Sequence, residues 1–288
     1  MRVLKLFLIL IIFLIPGINS VNAQMKRERA ELNGSVEETF WAPNIVGLST
    51  VETLPKNNLN VTIMHSFGNL SNRTFKNFFG LDTPPNVRLG LDIGLTNRWS
   101  LGIGRTTYEK VVDLRSKMGL IKQSQSGSVP VSLTLKGDLG ITTQENNHPV
   151  GDDINFLFSG ILARKLDKLS LQLAPMYAQF NTGSSLTGDQ ESLIALGMGG
   201  EYHINDRYAL SAEYYPVLGD RNTGTKNAFA LALNIETGGH VFQLFFASSN
   251  WHTEQYIIAR NTDQFWSGDF RFGFNVNRVF LLGKKLKQ

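Results

Sequence analysis

The chain has no cysteine and only 9 prolines among 288 residues. Without Cys there can be no disulfide framework, no thiolate metal site, no cysteine nucleophile and no lipid-modified Cys anchor. Charge is also scarce: 18% of residues are charged and the formal net charge is +4, a basic excess too small for a nucleic-acid binder. Long apolar runs are confined to one place. Leu6 to Ile15 is uninterruptedly apolar, and nothing after Ala23 approaches the ~18 apolar residues of a membrane-spanning helix. Disorder is excluded as well, because 42% of the residues are apolar.

Arg2 and Lys5, the apolar run, the break at Pro16-Gly17 and the small-residue ending Val21-Asn22-Ala23 together predict a secretory signal peptide over residues 1–23, cleaved near Ala23. Residues 24–57 read as an N-terminal lead, highly charged at Lys26-Arg27-Glu28-Arg29, and as a candidate plug segment. From residue 58 to 280 the chain alternates apolar and polar residues with period two, the mark of strands with one greasy face. Val129, Val131, Leu133, Leu135 and Leu139 share one face of their segment, opposite Ser132, Thr134, Lys136 and Asp138. About twelve such segments can be counted: 58–68, 86–95, 99–107, 110–121, 128–140, 153–165, 169–180, 191–204, 207–217, 226–236, 240–249 and 268–280. Most have ten or more residues, longer than usual globular strands and close to the roughly 9–11 needed to cross a bilayer at a tilt.

The connections alternate too. Short turns at 96–98, 166–168, 205–206 and 237–239 are interleaved with long polar loops at 69–85, 143–152, 181–190, 218–225 and 250–266, with a tight hairpin at Tyr108-Glu109 on the loop side. Short turns on one side and long loops on the other is the arrangement of outer-membrane barrels, with the turns in the periplasm. Alternation by itself does not say whether the apolar face points in or out, but size does. Twelve strands at ~4.8 Å spacing and ~40° tilt close into a cylinder roughly 24 Å across, which inward apolar side chains could not fill.

The predicted fold is therefore all-β: a closed antiparallel up-and-down transmembrane β-barrel of about twelve strands, followed by a basic tail at 281–288. Its lumen is predicted to be lined by Arg88, Asp92, Asp113, Arg115, Lys117, Lys136, Asp138, Glu201, His203, Glu213, Asp269 and Arg271. Trp99, Tyr202, Tyr208 and Phe280 fall beside the short turns and predict a periplasmic aromatic girdle. Phe75, Phe78, Phe79, Trp251, Tyr256 and Trp266 fall in long loops and predict either a contact surface for a ligand or partner, or loops packed on one another or folded into the mouth.

The segments Glu52-Thr53-Leu54-Pro55-Lys56, His65-Ser66-Phe67-Gly68, Phe78-Phe79-Gly80-Leu81-Asp82 and Asn86-Val87-Arg88-Leu89-Gly90-Leu91-Asp92 resemble a family of uncharacterised outer-membrane β-barrel proteins from Bacteroidota, over about Leu48 to Phe280. The resemblance implies a membrane barrel of unknown function and carries over no catalytic residues. The alternating aromatics ending at Phe280 also resemble the C-terminal insertion signal of outer-membrane barrels, with Arg278 as a departure on the apolar register.

Little else points to chemistry. The 5 His residues include no HExxH pair and no pair at ligand spacing, so neither metal nor cofactor is expected. His65-Ser66 suggests a hydrolase, but strand neighbours point to opposite faces and cannot act together as nucleophile and base. Gly219 to Lys226 is a reversed near miss to a phosphate loop with no helix after it. The expected location is the outer membrane, with outer-membrane lipids and, during insertion, the barrel assembly machinery as partners. The leading expectation is a narrow channel or binding barrel for a small solute. The alternatives are a non-conducting structural or interaction barrel whose loops bind a partner, and a lipid-acting enzyme. Catalysis is not expected.

Overall fold

The computed structural model describes residues 34–36, 38–70, 75–147, 149–181 and 189–282. The expected signal peptide, the charged lead, most of the 181–190 loop, His148 and the tail beyond Leu282 lie outside the described residues.

Twelve strands close into a ring: β1 (Asn58–Asn69), β2 (Asn86–Gly94), β3 (Trp99–Thr106), β4 (Val111–Ile121), β5 (Ser132–Thr142), β6 (Ile154–Leu166), β7 (Leu169–Phe180), β8 (Ser192–His203), β9 (Tyr208–Tyr215), β11 (Ala228–Glu236), β12 (His240–Ala247) and β13 (Arg271–Leu281). The two-residue β10 (Val217–Leu218) continues β9 past Pro216 along β8, outside the ring. All pairings are antiparallel, ring strands pair in chain order with β9 on β11 across β10, and β1 on β13 closes the cylinder with Asn58 opposite Leu281. Ring strands are 8 to 13 residues long; at ~3.3 Å per residue and ~40° tilt the shortest rise about 20 Å, and those of ten or more cover an apolar band of about 25 Å.

Burial resolves the direction of the faces. In β7 the even residues Ser170, Gln172, Ala174, Met176, Ala178 and Phe180 are buried, while Leu171, Leu173 and Tyr177 are exposed. The large aliphatic side chains thus point away from the ring, the reverse of a water-soluble protein. Two strands start later than periodicity suggests. β5 begins at Ser132 because Pro130 has no N–H to give to a ladder. β13 begins at Arg271 because a 3-10 turn at Phe265–Ser267 and the left-handed Gly268 (φ 90°) end the preceding loop there.

The lumen is occupied by the chain itself. Residues 34–36 bond to the β4–β5 turn, with the Val36 N–H on the Gln123 carbonyl at 2.7 Å. Residues 39–54 then turn inside the barrel, and Asn57 returns to the Gly94 carbonyl at the same end (3.0 Å). The bend of this re-entrant segment is closed by Ile45 N–H on the Leu48 carbonyl (2.8 Å), and its arms are tied by Thr50 N–H on the Pro43 carbonyl (2.8 Å) and Thr39 N–H on Glu52 (2.7 Å). From the loop end, the β12–β13 connection folds inward as a short helix, α1 (Glu254–Arg260), in which every residue but Arg260 is buried. Phe40, Ile45, Leu48 and Val51 of the re-entrant segment and Tyr256, Ile257 and Ile258 of α1 join one apolar cluster with the small lumenal residues Ala163, Ala174, Ala178, Ala195 and Ala228.

Candidate functional site

The lumen is divided by residue size. Strands β2 to β5 bring long charged side chains inward. The Arg88 guanidinium grips the Asp113 carboxylate with two bonds, Nε to Oδ2 at 2.9 Å and Nη2 to Oδ1 at 2.6 Å, both side chains being buried. Arg115 bridges Asp92 at 2.8 Å and Asp113 at 3.5 Å. Lys136 pairs with Asp138 at 2.7 Å and also with Glu254 of α1. Glycine makes the room. A Cβ on Gly102 would collide with the Asp92 carboxylate and one on Gly104 with the Arg88 guanidinium. Arg88, Arg115 and Lys136 each have a carboxylate in contact, which is the condition under which buried charge is tolerated.

Around the rest of the ring, β6 to β13 present mostly small or neutral side chains, and the re-entrant segment lies against them. A Cβ on Gly199 would strike Ile45, and one on Gly197 would strike Leu48. The segment has no sheet of its own, so its backbone polar groups need partners from the wall. Glu213 accepts three successive N–H groups, from Val46 (2.8 Å), Gly47 (2.9 Å) and Leu48 (2.9 Å), and the Tyr215 hydroxyl at 3.3 Å. This is a backbone nest closed on a carboxylate, with charge-assisted bonds stronger than neutral ones. Glu201 accepts the Trp41 N–H (3.2 Å), while Gln172 accepts the Val51 N–H (3.0 Å) and donates to the Ser49 carbonyl (2.7 Å). Gln243 donates to the Ile45 carbonyl (2.6 Å), Asn275 to the Val46 carbonyl (3.0 Å) and Thr134 to the Val51 carbonyl (2.7 Å). The two inserts meet where the Ser49 N–H donates to Glu254 at 2.8 Å. A void of about 20 Å³ beside Glu213, Tyr215, His252 and Ile257 leaves room for a single water.

Most of the expected lumenal residues are where periodicity puts them. Arg88, Asp92, Asp113, Arg115, Lys117, Lys136, Asp138, Glu201, His203, Glu213 and Arg271 all lie on the inward register of their strands. Lys117 donates to the Glu52 carbonyl, and His203 bonds Glu201 at 2.8 Å while stacking on Trp41 with ring centroids 4.5 Å apart. Asp269 is a correction: it precedes β13, its N–H bonds the Gln264 carbonyl at 3.2 Å, and it belongs to the outer loop. Ten of these eleven lumenal residues are partners of one another, of the re-entrant segment or of α1, while Arg271 bonds the Ser248 carbonyl (2.6 Å) and Asp263 of the β12–β13 connection.

The girdle residues Trp99, Tyr202 and Phe280 are exposed and Tyr208 half-buried, all on the outward register beside the short turns. Among the loop aromatics, Phe75 (84%), Phe78 (59%) and Trp266 (73%) are exposed, with Phe79 half-buried. Tyr256 and Trp251 correct the surface expectation and fit its mouth-packing alternative. Tyr256 is fully buried, its hydroxyl within 2.9 Å of Thr142 and 3.0 Å of Asn155, and half-buried Trp251 stacks on it at 5.2 Å. Both belong to the inward fold of the loop that carries α1.

Sequence reading missed three groups. The plug anchors Gln172, Gln243 and Asn275 were legible only as polar residues on an inward face. Glu254 sits in a loop in sequence, and nothing local marks it as the partner of Lys136. The third is a continuous row of outward rings near the loops: Phe67 on Phe272 (5.9 Å), Phe272 on Phe246 (5.7 Å), Phe246 on Phe270 (5.7 Å), Phe270 on Phe265 (5.1 Å) and Phe265 on Phe229 (4.8 Å). Aromatics at strand ends next to long loops were a signal for it. Among the described residues no group of three or more His, Cys, Asp and Glu side chains is arranged to hold a metal ion.

Comparison with known proteins agrees with this architecture. A family model described as "Membrane bound beta barrel domain (DUF5777)" matches residues 40–280. No curated protein sequence matches the chain. Among solved structures, the COG4313 outer membrane channel from Pseudomonas putida F1 is similar at 13% identity and a TM-score of 0.50, covering 80% of this chain and 98% of that one. Outer membrane phospholipase A from Escherichia coli, as an active-site mutant, is similar at 14% identity and a TM-score of 0.45, covering 78% of this chain and 91% of that one. At these identities the likeness is one of fold.

Proposed function

The chain belongs to the DUF5777 family of membrane-bound β-barrel domains, and from that premise we propose that it works in the outer membrane as a barrel closed by its own polypeptide. The observation that carries this reading is the seating of the re-entrant segment, with three backbone N–H groups on the buried Glu213 and a fourth, from Ser49, on Glu254 of the helix that enters from the opposite end. In the closed state the working surface is the rim of outer loops, where Phe75, Phe78 and Trp266 stand exposed as a contact surface for a partner.

The plug's mode of attachment favours a second reading, a narrow channel or binding barrel for a small solute that opens when the plug withdraws. Side-chain hydrogen bonds and a few apolar anchors hold the segment in place, and its departure would uncover the ion-paired wall of Arg88, Asp92, Asp113, Arg115, Lys136 and Asp138. Conductance in planar bilayers separates the two. The intact protein is expected to give no steady single-channel steps, and deletion of residues 38–52 is expected to produce them. Steady steps from the intact protein would overturn the closed barrel. Neither reading invokes catalysis: His65 lies on the outward register and Ser66 on the inward one, so this pair does not act together, and hydrolysis of labelled phospholipid by purified protein would refute a non-catalytic barrel.

A further inference from the structure

The outer wall of a barrel is normally convex, yet the wall built by β1 to β6 has a dent of about 670 Å³. Its origin is one hydrogen-bonded row of outward side chains across six strands, Leu59, Ile93, Leu101, Ser116, Gly137 and Phe158. Four of these are large, and two neighbours near the upper end, Ser116 and Gly137, are small. Gly137 has no side chain at all, and the small Ser116 side chain accepts the Trp99 indole N–H at 3.0 Å, which ties the indole to the edge of the dent. The dent also borders Asp92, Gly102, Arg115 and Asp138, each lying in sequence between two outward residues, which makes their backbone its floor.

Two further features give the dent a direction. The row starts one residue from the turn end on β1 and β2, at Leu59 and Ile93, and climbs to Phe158, eight residues from the turn end of β6 at Leu166. It therefore runs from the turn-side interface toward the middle of the bilayer, the course of an acyl chain. Along the turn edge from β1 to β4 sit Lys56, Arg98 and Lys122, before β1, between β2 and β3 and after β4. The Lys56 N–H bonds the Asn97 side chain (3.1 Å), and the Gly119 N–H bonds the Arg98 carbonyl (2.7 Å), so all three cations belong to one edge of the barrel. The connecting stretches there, 53–57, 95–98 and 122–131, contain no Asp or Glu.

We propose that this wall is a binding site for an anionic phospholipid of the turn-side leaflet, with its tails in the dent and its phosphate at Lys56, Arg98 and Lys122. The apolar floor recognises hydrocarbon without specificity, and the unopposed cations select the negative headgroup. The proposal is independent of whether the lumen opens. It stands on the outer wall, which neither the plug nor α1 touches.

Trp99 is a built-in reporter because its indole lies beside the dent. In a variant whose other tryptophans are replaced (Trp41→Phe, Trp251→Phe, Trp266→Phe), quenching of Trp99 would be titrated in vesicles of phosphatidylcholine doped with brominated phosphatidylglycerol or brominated phosphatidylcholine. Heat-modifiable migration on gels confirms that each variant is folded. The expected result is about a tenfold lower half-quenching fraction for phosphatidylglycerol. That preference should vanish in Lys56→Gln/Arg98→Gln/Lys122→Gln, and quenching by both lipids should weaken in Gly137→Phe, which fills the dent. Equal quenching by the two lipids, unchanged by Gly137→Phe, would mean ordinary lipid contact and overturn the proposal. Overturning it equally would be a dimer in native mass spectrometry that Gly137→Phe abolishes, which would put a second copy of the chain on this wall. Persistence of the preference in the triple variant would remove the cations from the site and refute the assignment of the headgroup.

Discussion

Glu213→Gln is the substitution most diagnostic of the plug. The carboxylate accepts the N–H groups of Val46, Gly47 and Leu48 within 2.8 to 2.9 Å in a buried setting. A carboxamide of the same shape keeps one acceptor oxygen, on which the Val46, Leu48 and longer Gly47 (3.1 Å) bonds converge, and turns an NH₂ group toward the Gly47 N–H at 2.9 Å, so the shorter Gly47 bond and the charge assistance of all three are lost. Each charge-assisted bond contributes about 1.5 to 3 kcal/mol, and a buried donor left unpaired costs about 1 to 3 kcal/mol. The bend of the plug should therefore be less firmly seated by roughly 3 kcal/mol. Because the natural chain has no cysteine, Ser49→Cys provides a unique thiol on the plug, at a residue that is 5% exposed. Its rate of modification by a water-soluble thiol reagent, in protein reconstituted into vesicles, reports opening of the segment. With Glu213→Gln added, that rate should rise about a hundredfold, since 1.4 kcal/mol is a factor of ten. The barrel itself should keep its heat-modifiable migration, because the ladder bonds of β9 are untouched. A rate within threefold of the Ser49→Cys parent would refute the argument that this carboxylate holds the plug.

Two other outcomes follow from the lumen and the loop above it. Arg88→Met leaves the Asp113 carboxylate buried with only the longer contact to Arg115, so the barrel should lose about 3 kcal/mol of stability, whereas the double variant Arg88→Met/Asp113→Leu should recover much of that loss in urea-induced unfolding from detergent micelles. His252 lies in the β12–β13 loop, and burial pushes its imidazole down to about 4, with Arg88 and Arg271 adding in the same direction and the bond to the Asn86 carbonyl opposing. The unfolded imidazole takes up its proton near 6.5, so stability is full above that pH, declines as pH falls toward 4 and is lowest below it. The heat-modifiability midpoint should drop over that window, and His252→Gln should remove part of the drop, at most about 3 kcal/mol. An identical pH profile for the variant would show that the loop does not bury a neutral His252.

The strands were legible because their signal is local. A side chain's face in a strand depends only on whether its position is odd or even, so Leu133, Leu135 and Leu139 declare an outward face without reference to any other strand. Length and the contrast between short turns and long loops then implied a membrane barrel, and eleven of the twelve lumenal residues followed by counting, Asp269 failing because a left-handed Gly268 and a 3-10 turn delay the start of β13. The filling of the lumen had no such local mark. Residues 39–54 carry neither strand periodicity nor helix caps, since their backbone is satisfied by side chains more than a hundred residues away, at Gln172, Glu213, Gln243 and Asn275. Whether Glu254 meets Lys136, whether Tyr256 faces solvent or the mouth, and whether Ser116 and Gly137 fall side by side to dent the wall depend on strand register and on which loop turns inward. Those are properties of the closed ring, and only the tertiary structure decides them.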